Sequence, residues 1–400
     1  MNRTLIQGAR VVDGTGSAPF LADIAIVDGR FAEIGVGLDG DEAFDAAGLT
    51  VLPGLFDCHS HVMVDKVDYL SMMQMPFSYS NFIAVRNLEQ TLRLGITTIR
   101  DAGGADLGVK EAVNNGLIRG PRMQISISIL SQTGGHGDGT FPSGVCVPLL
   151  PCHAGRPPSV VDGVENMRLR VRELKRAGAD VIKVCASGGV LSPRDDPRHP
   201  QFTPDELAAA VDEANATHTF VMAHAQSTQG IKNAIRAGIR SIEHGIFLDD
   251  EAIQMMLDAG TYLVPTLSAP RAVIKVAEQG GGLPEAIVDK ARAVVDVHIE
   301  SMKRAIAAGV KVAMGTDSGV GPHGENLGEL VHMVECGMTP LESISASSLV
   351  AAHLLGLEGE LGSIELGKRA DLVLIEGGID SLEGLKERVR GVWKDGVKVV

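Results

Sequence analysis

Four histidines, one lysine and one aspartate interrupt or end apolar stretches of this chain. They are His59 and His61 in PGLFDCHSH, Lys183 in VIKVCAS, His224 in VMAHAQS, His244 in SIEHG and Asp317 in MGTDSG. A buried polar group without a partner is costly, so side chains of this kind at five separate strand ends point away from packing and toward a shared ligand. Imidazole nitrogens and carboxylate oxygens are donors for a divalent cation, and zinc suits them well. Residues i and i+2 face the same way along a strand, so His59 and His61 can approach one ion together. Lys183 is the odd member, because an ammonium beside divalent cations is strongly unfavourable. Burial favours the neutral amine, which can react with carbon dioxide to give a carbamate, an anion offering one oxygen to each of two metals. The competing expectation is a buried lysine paired to Asp or Glu.

Chemistry of this kind needs a scaffold that brings strand ends together. Between residues 54 and 359 apolar strand-like stretches alternate with helical patterns, as in TTIRDAGG, MQISISIL, TFVMAHAQS, TYLVPTL and VKVAMGTDSG. The repetition predicts a (β/α)8 barrel, whose catalytic residues lie at the C-terminal ends of the strands, where the candidates fall. Thr203, Pro204 and Glu206 form a capping box, and Gly95, Gly178, Gly238, Gly260 and Gly309 stand where helices should stop. Residues 1–53 and 360–400 read instead as short strands with hairpin pairs such as Asp28-Gly29 and Asp395-Gly396, and they predict one small β-sandwich built from both termini. Trp393 is assigned to its packing. Two inserts enlarge the barrel. One, after the first strand, carries Met63, Met72, Met73 and Met75 with Phe77 and Tyr79; the other, after the third, is glycine-rich and contains His136.

Composition narrows the class further. The chain has 400 residues, of which 44% are hydrophobic and 22% charged, the balance of an ordinary globular protein. A net charge of -14 argues against nucleic acid and anionic membranes as partners. No apolar run is long enough to span a bilayer and no secretion signal is visible, so a cytoplasmic location is expected. The five cysteines are sparse and odd in number, which fits reduced thiols. Self-association is left open.

The same motifs, with ASSLVAAHLLGLEGELGSIELGKRADLVLI near the C-terminus, resemble the metal-dependent amidohydrolase superfamily over essentially the whole chain. The branch most similar is the dinuclear one that includes Xaa-Pro dipeptidase-like and imidazolonepropionase-like proteins. The resemblance implies that His59, His61 and Asp317 hold the more buried metal, that His224 and His244 hold the more exposed one, and that carbamylated Lys183 bridges them. It implies attack by a metal-bridging hydroxide, with Asp317 carrying the proton to the leaving group and His136 touching the substrate. The expected substrate is a dipeptide, L-Xaa-L-Pro or L-Xaa-L-hydrophobic, or an N-acyl-L-amino acid. A cyclic amide, an imidazolone-like ring or a xenobiotic amide is the alternative. A non-catalytic binding protein on this fold would lack ligands that are all present here. One departure is Gln226, where similar carboxy-terminal peptidases place a tyrosine that grips the substrate carboxylate. Arg194, or Arg198 beside it, could supply a cation instead.

Overall fold

The computed structural model describes residues 3–65, 68–141, 143–192, 195–279 and 283–400. The chain opens with β1 (Arg3–Val11), β2 (Phe20–Val27), β3 (Arg30–Gly35), β4 (Glu42–Asp45) and β5 (Leu49–Pro53). The β2–β3 turn places Asp28 and Gly29 at φ of 49° and 75°, the left-handed pair that a tight hairpin requires. The chain then enters a parallel α/β barrel of the TIM type. Its strands are β6 (Leu55–Ser60), β7 (Ile96–Asp101), β8 (Arg122–Ile125), β9 (Ile129–Leu130), β10 (Val181–Cys185), β11 (Phe220–Ala225), β12 (Ser241–His244) and β13 (Tyr262–Val264). Amphipathic helices intervene. Helix Pro204–Asn215 starts on the Thr203–Glu206 capping box, and the glycines after residues 94, 177, 237, 259 and 308 all have positive φ.

Two irregularities shape the barrel mouth. The stretch read as a single third strand breaks at Ile127, whose φ is 69°; β8 pairs with β7, while β9 pairs with β10. The stretch read as the eighth strand forms no regular strand, yet it closes the barrel by bonding on both sides. Leu263 N–H donates to the Lys311 carbonyl at 2.8 Å, Cys58 N–H to Met314 at 2.9 Å, and Asp317 N–H to His59 at 2.7 Å.

The chain ends in β14 (Leu372–Glu376), β15 (Val389–Lys394) and β16 (Val397–Lys398). These join the first five strands in one mixed eight-stranded sheet, with β14 antiparallel to β5. Strand alternation sorts its residues onto two faces, both buried. Ile6, Val11, Val51, Leu372, Leu374 and Trp393 share one apolar cluster. Leu52, Val373, Ile375 and Val392 join the main core with the barrel residues Leu55, Leu92 and Ile96. All five cysteines are free thiols. Among the described residues no helix is long and apolar enough to cross a membrane.

Candidate metal centre

At the end of β6, period-two alternation aims His59 and His61 into the barrel mouth. His59 Nε2 lies 3.5 Å and His61 Nε2 3.2 Å from Asp317 Oδ1. His244 ends β12 and Asp317 lies in the closing segment; both adopt left-handed backbone, at φ of 73° and 60°. Such strain costs on the order of 1–3 kcal/mol per residue and persists only where the surroundings hold it. Here it turns both side chains toward His59. Donor atoms of His59, His244 and Asp317 all lie within 4.8 Å of one another, a group able to hold a metal ion.

The second nitrogen of each ring is occupied, which fixes what the first can do. His59 Nδ1 pairs with Glu243 Oε2 at 2.7 Å, and His61 Nδ1–H donates to the Gly103 carbonyl at 2.8 Å. His244 Nδ1 meets Thr266 Oγ1 at 2.6 Å. His224 Nε2–H donates to the Gly188 carbonyl at 3.0 Å, so its lone pair is on Nδ1. Burial, reinforced by positive neighbours, holds His59, His224 and His244 well below the usual imidazole range. They are therefore neutral donors. Burial alone would raise Asp317, but His59, His61 and Lys183 outweigh it and keep the carboxylate ionised.

Lys183 stands on β10 in the floor of the same cavity, 2% exposed, with Nζ 3.4 Å from His59 Nε2. Among the described residues it forms no ion pair, so the expectation of a lysine neutralised by a contacting carboxylate is not met. Burial lowers its pKa and favours the free amine. The donor chemistry fits divalent cations: three neutral imidazoles, a fourth, His61, which its bond to Asp317 raises against burial, one ionised carboxylate and an amine whose charged form burial disfavours converge with no lysine–carboxylate contact to satisfy them.

His136 reaches this centre from the glycine-rich insert. Its ring stacks on that of His224, with centroids 4.2 Å apart and 19° between planes. Its Nδ1 lies 2.7 Å from Ser192 Oγ and 3.3 Å from Asp195 Oδ2. His59, His61, Lys183, His136, His224, His244 and Asp317 all line one cavity of about 110 Å³, whose other walls include Ile129, Phe141, Val147 and Leu191. Gln226 lies in an adjoining chamber with His136, His224 and His298; its buried Oε1 has no partner among the described residues. Arg194 lies outside the described residues. Arg198 does not reach the centre: its side chain is 71% exposed and tied to Asp196, because the turn between them points to solvent.

Sequence reasoning missed the groups behind the ligands. Arg100, on β7, is fully buried; its NH2 donates to both oxygens of Glu243 at 2.9 and 3.0 Å, and its Nε to the Cys58 carbonyl at 2.6 Å. Glu243 also accepts from Ser241 Oγ at 2.6 Å, so the i, i+2 pair in SIEHG carried the signal. Asp57 bonds the backbone N–H of His59 and of Thr316 at 3.1 Å each, linking β6 to the segment that carries Asp317.

The sequence profile of the amidohydrolase family matches residues 50–400. An ochratoxinase of Aspergillus niger is 35% identical over 421 residues, spanning 98% of this chain and 86% of that protein. Among solved structures, a Xaa-Pro dipeptidase with methionine bound in its active site superposes with a TM-score of 0.89 at 34% identity, covering 99% of both chains. A prolidase in complex with N-methylphosphonate-L-proline gives 0.92 at 37% identity, again over 99% of each.

Proposed function

The chain belongs to the amidohydrolase family, and on that premise we propose that it hydrolyses the amide bond of L-Xaa-L-Pro or L-Xaa-L-hydrophobic dipeptides and of N-acyl-L-amino acids. It is a hydrolase-family enzyme with a metal-binding site. In the proposed dinuclear centre His59, His61 and Asp317 would hold one cation and His224 and His244 the other, with Lys183, as a carbamate, supplying oxygen donors to the pair. Carbamate formation adds the neutral Nζ to carbon dioxide and releases one proton. When bound, two divalent cations, zinc by donor preference, would supply a Lewis acid for the scissile carbonyl and ease deprotonation of water.

The chain's own residues do the rest. Asp317, held as a carboxylate, accepts the proton of the attacking water and returns it to the leaving nitrogen. His136, fixed by Ser192 and Asp195 through Nδ1, is free to present Nε2 to the substrate. Gln226 offers its amide beside that histidine, at the end of the cavity where the leaving amino acid would sit. The observation that carries the reading is Lys183: a fully enclosed amine, 3.4 Å from a histidine nitrogen and without an ion pair among the described residues. The similarity to a Xaa-Pro dipeptidase and a prolidase supports the substrate class.

A second reading rests on the chamber that holds Gln226. Its described lining contains no lysine or arginine, which favours an uncharged substrate such as a cyclic or xenobiotic amide. Release of free amino acid from libraries of L-Xaa-L-Pro, L-Xaa-L-hydrophobic and N-acyl-L-amino acids by the metal-loaded enzyme decides between them. Turnover is expected. Inactivity across all three libraries with both cations present overturns the peptide reading and favours the uncharged amide.

A further inference from the structure

The cavity at the metal centre has a neighbour on each side. Toward His136 and His224 lies the small chamber of Gln226. On the opposite side, past Val64 and the Pro148–Leu150 loop, lies a larger cavity of about 310 Å³, nearly three times the volume at the metal centre itself. Val64, Pro148, Leu149 and Leu150 line both, so the two cavities adjoin.

The lining of the larger cavity comes from the two inserts. Met63, Met72, Met75 and Ile83 face Leu149 and Leu150. Methionine and leucine adapt to irregular apolar shapes. The charged residues of the lining are engaged elsewhere: Asp65 pairs with Arg86, and the terminal nitrogens of Arg156 donate to the carbonyls of Pro151 and Gly104. Only the Arg156 Nε–H lacks a partner among the described residues. At about 110 Å³ the metal cavity is small against the 300–1,000 Å³ typical of ligand sites, and the neighbour supplies the missing volume.

We propose that this cavity is an acyl annex of the active site, taking a large apolar acyl group on the substrate amide while the leaving amino acid occupies the His136–Gln226 side. The assignment rests on the hydrolase reading for which end of the substrate points where. It makes N-acyl-L-amino acids with bulky apolar acyl groups better substrates than small dipeptides. Met73 in the same insert and Phe82 just after it, 59% and 70% exposed, lie outside this lining.

The test uses the metal-loaded enzyme and a series of N-acyl-L-phenylalanines running from acetyl through hexanoyl and octanoyl to 2-naphthoyl. kcat/KM should rise at least about tenfold from acetyl to the largest groups, since each added buried methylene is worth several-fold. Met75→Trp, which fills the annex, should collapse the octanoyl-to-acetyl ratio toward one, and Met73→Trp, outside it, should leave the ratio as in the wild type. Dansyl-L-phenylalanine, a sulfonamide without a cleavable amide, reports occupancy through its fluorescence without requiring turnover. Blue-shifted emission that Met75→Trp abolishes supports the annex. If no acyl amino acid is hydrolysed yet the probe binds and responds to Met75→Trp, the reaction assigned to the centre fails and the annex stands. A flat acyl series in an active enzyme, or probe binding indifferent to Met75→Trp, overturns the annex.

Discussion

Replacing Glu243 by glutamine tests whether the groups behind the ligands hold the metal centre in order. The exchange keeps the size and removes the charge of a side chain that is 0% exposed and pairs with an equally buried Arg100. It also substitutes an amide for the carboxylate that meets His59 Nδ1 at 2.7 Å. Two costs follow. Arg100 becomes a buried cation without its counter-ion, which destabilises by roughly 3–5 kcal/mol in proteins of known energetics. Loss of a carboxylate behind a metal-binding imidazole lowers metal affinity by about 10–100-fold, or roughly 1.4–2.8 kcal/mol. Competition with a chelator, followed by elemental analysis, measures the second; the thermal unfolding midpoint of the metal-free protein measures the first. Removing Arg100 as well, in Glu243→Gln/Arg100→Met, should recover part of the stability because the stranded charge is gone. The exposed pair Lys386–Glu325 provides the contrast: Lys386→Gln should shift neither measurement appreciably. Wild-type metal affinity and wild-type melting in Glu243→Gln would refute the reasoning.

Three further outcomes are expected. Lys183→Ala should lose most of its metal and nearly all turnover, with partial rescue by formate or acetate; full metal content and activity in elemental and kinetic assays would contradict a bridging role. Gly189→Ala should cut kcat/KM by an order of magnitude or more, because a Cβ there runs into the His136 ring; unchanged kinetics would show that His136 is not held where substrate needs it. Burial pushes the Glu329 carboxyl up to about 7, against its bonds from Ser268 and Leu267. Its native pKa is raised, so its contribution to stability is fully present below about pH 4.5 and is lost as pH rises through about 7, a change of about 3 kcal/mol. The difference in melting temperature between wild type and Glu329→Gln should therefore vary across that window, and parallel pH curves would refute the assignment.

The residues that gather at the candidate metal centre were legible because each breaks an apolar run, and a charged or imidazole side chain inside a barrel strand needs a reason. The capping box at Thr203 and the glycine stops were legible because they depend on a few adjacent residues. What escaped depends on distant partners. The closing segment that carries Asp317 reads as a strand by composition, yet its hydrogen bonds go to β13 on one side and β6 on the other, and its φ of 60° at Asp317 follows from that closure. The Arg100–Glu243 pair joins residues 143 positions apart, so neither motif announces the other. Ile127 interrupts an apparently continuous strand through a backbone conformation that its side chain disfavours and that composition does not encode.

Lys183 is the residue on which a dinuclear centre depends. A high-resolution crystal structure of the enzyme with its cations, collected with anomalous scattering, examines it most directly. Two metal peaks are expected among His59, His61, His224, His244 and Asp317, with continuous density beyond Nζ of Lys183 reaching both. A bare Nζ with both metals in place would contradict it, since some other group would then have to bridge them.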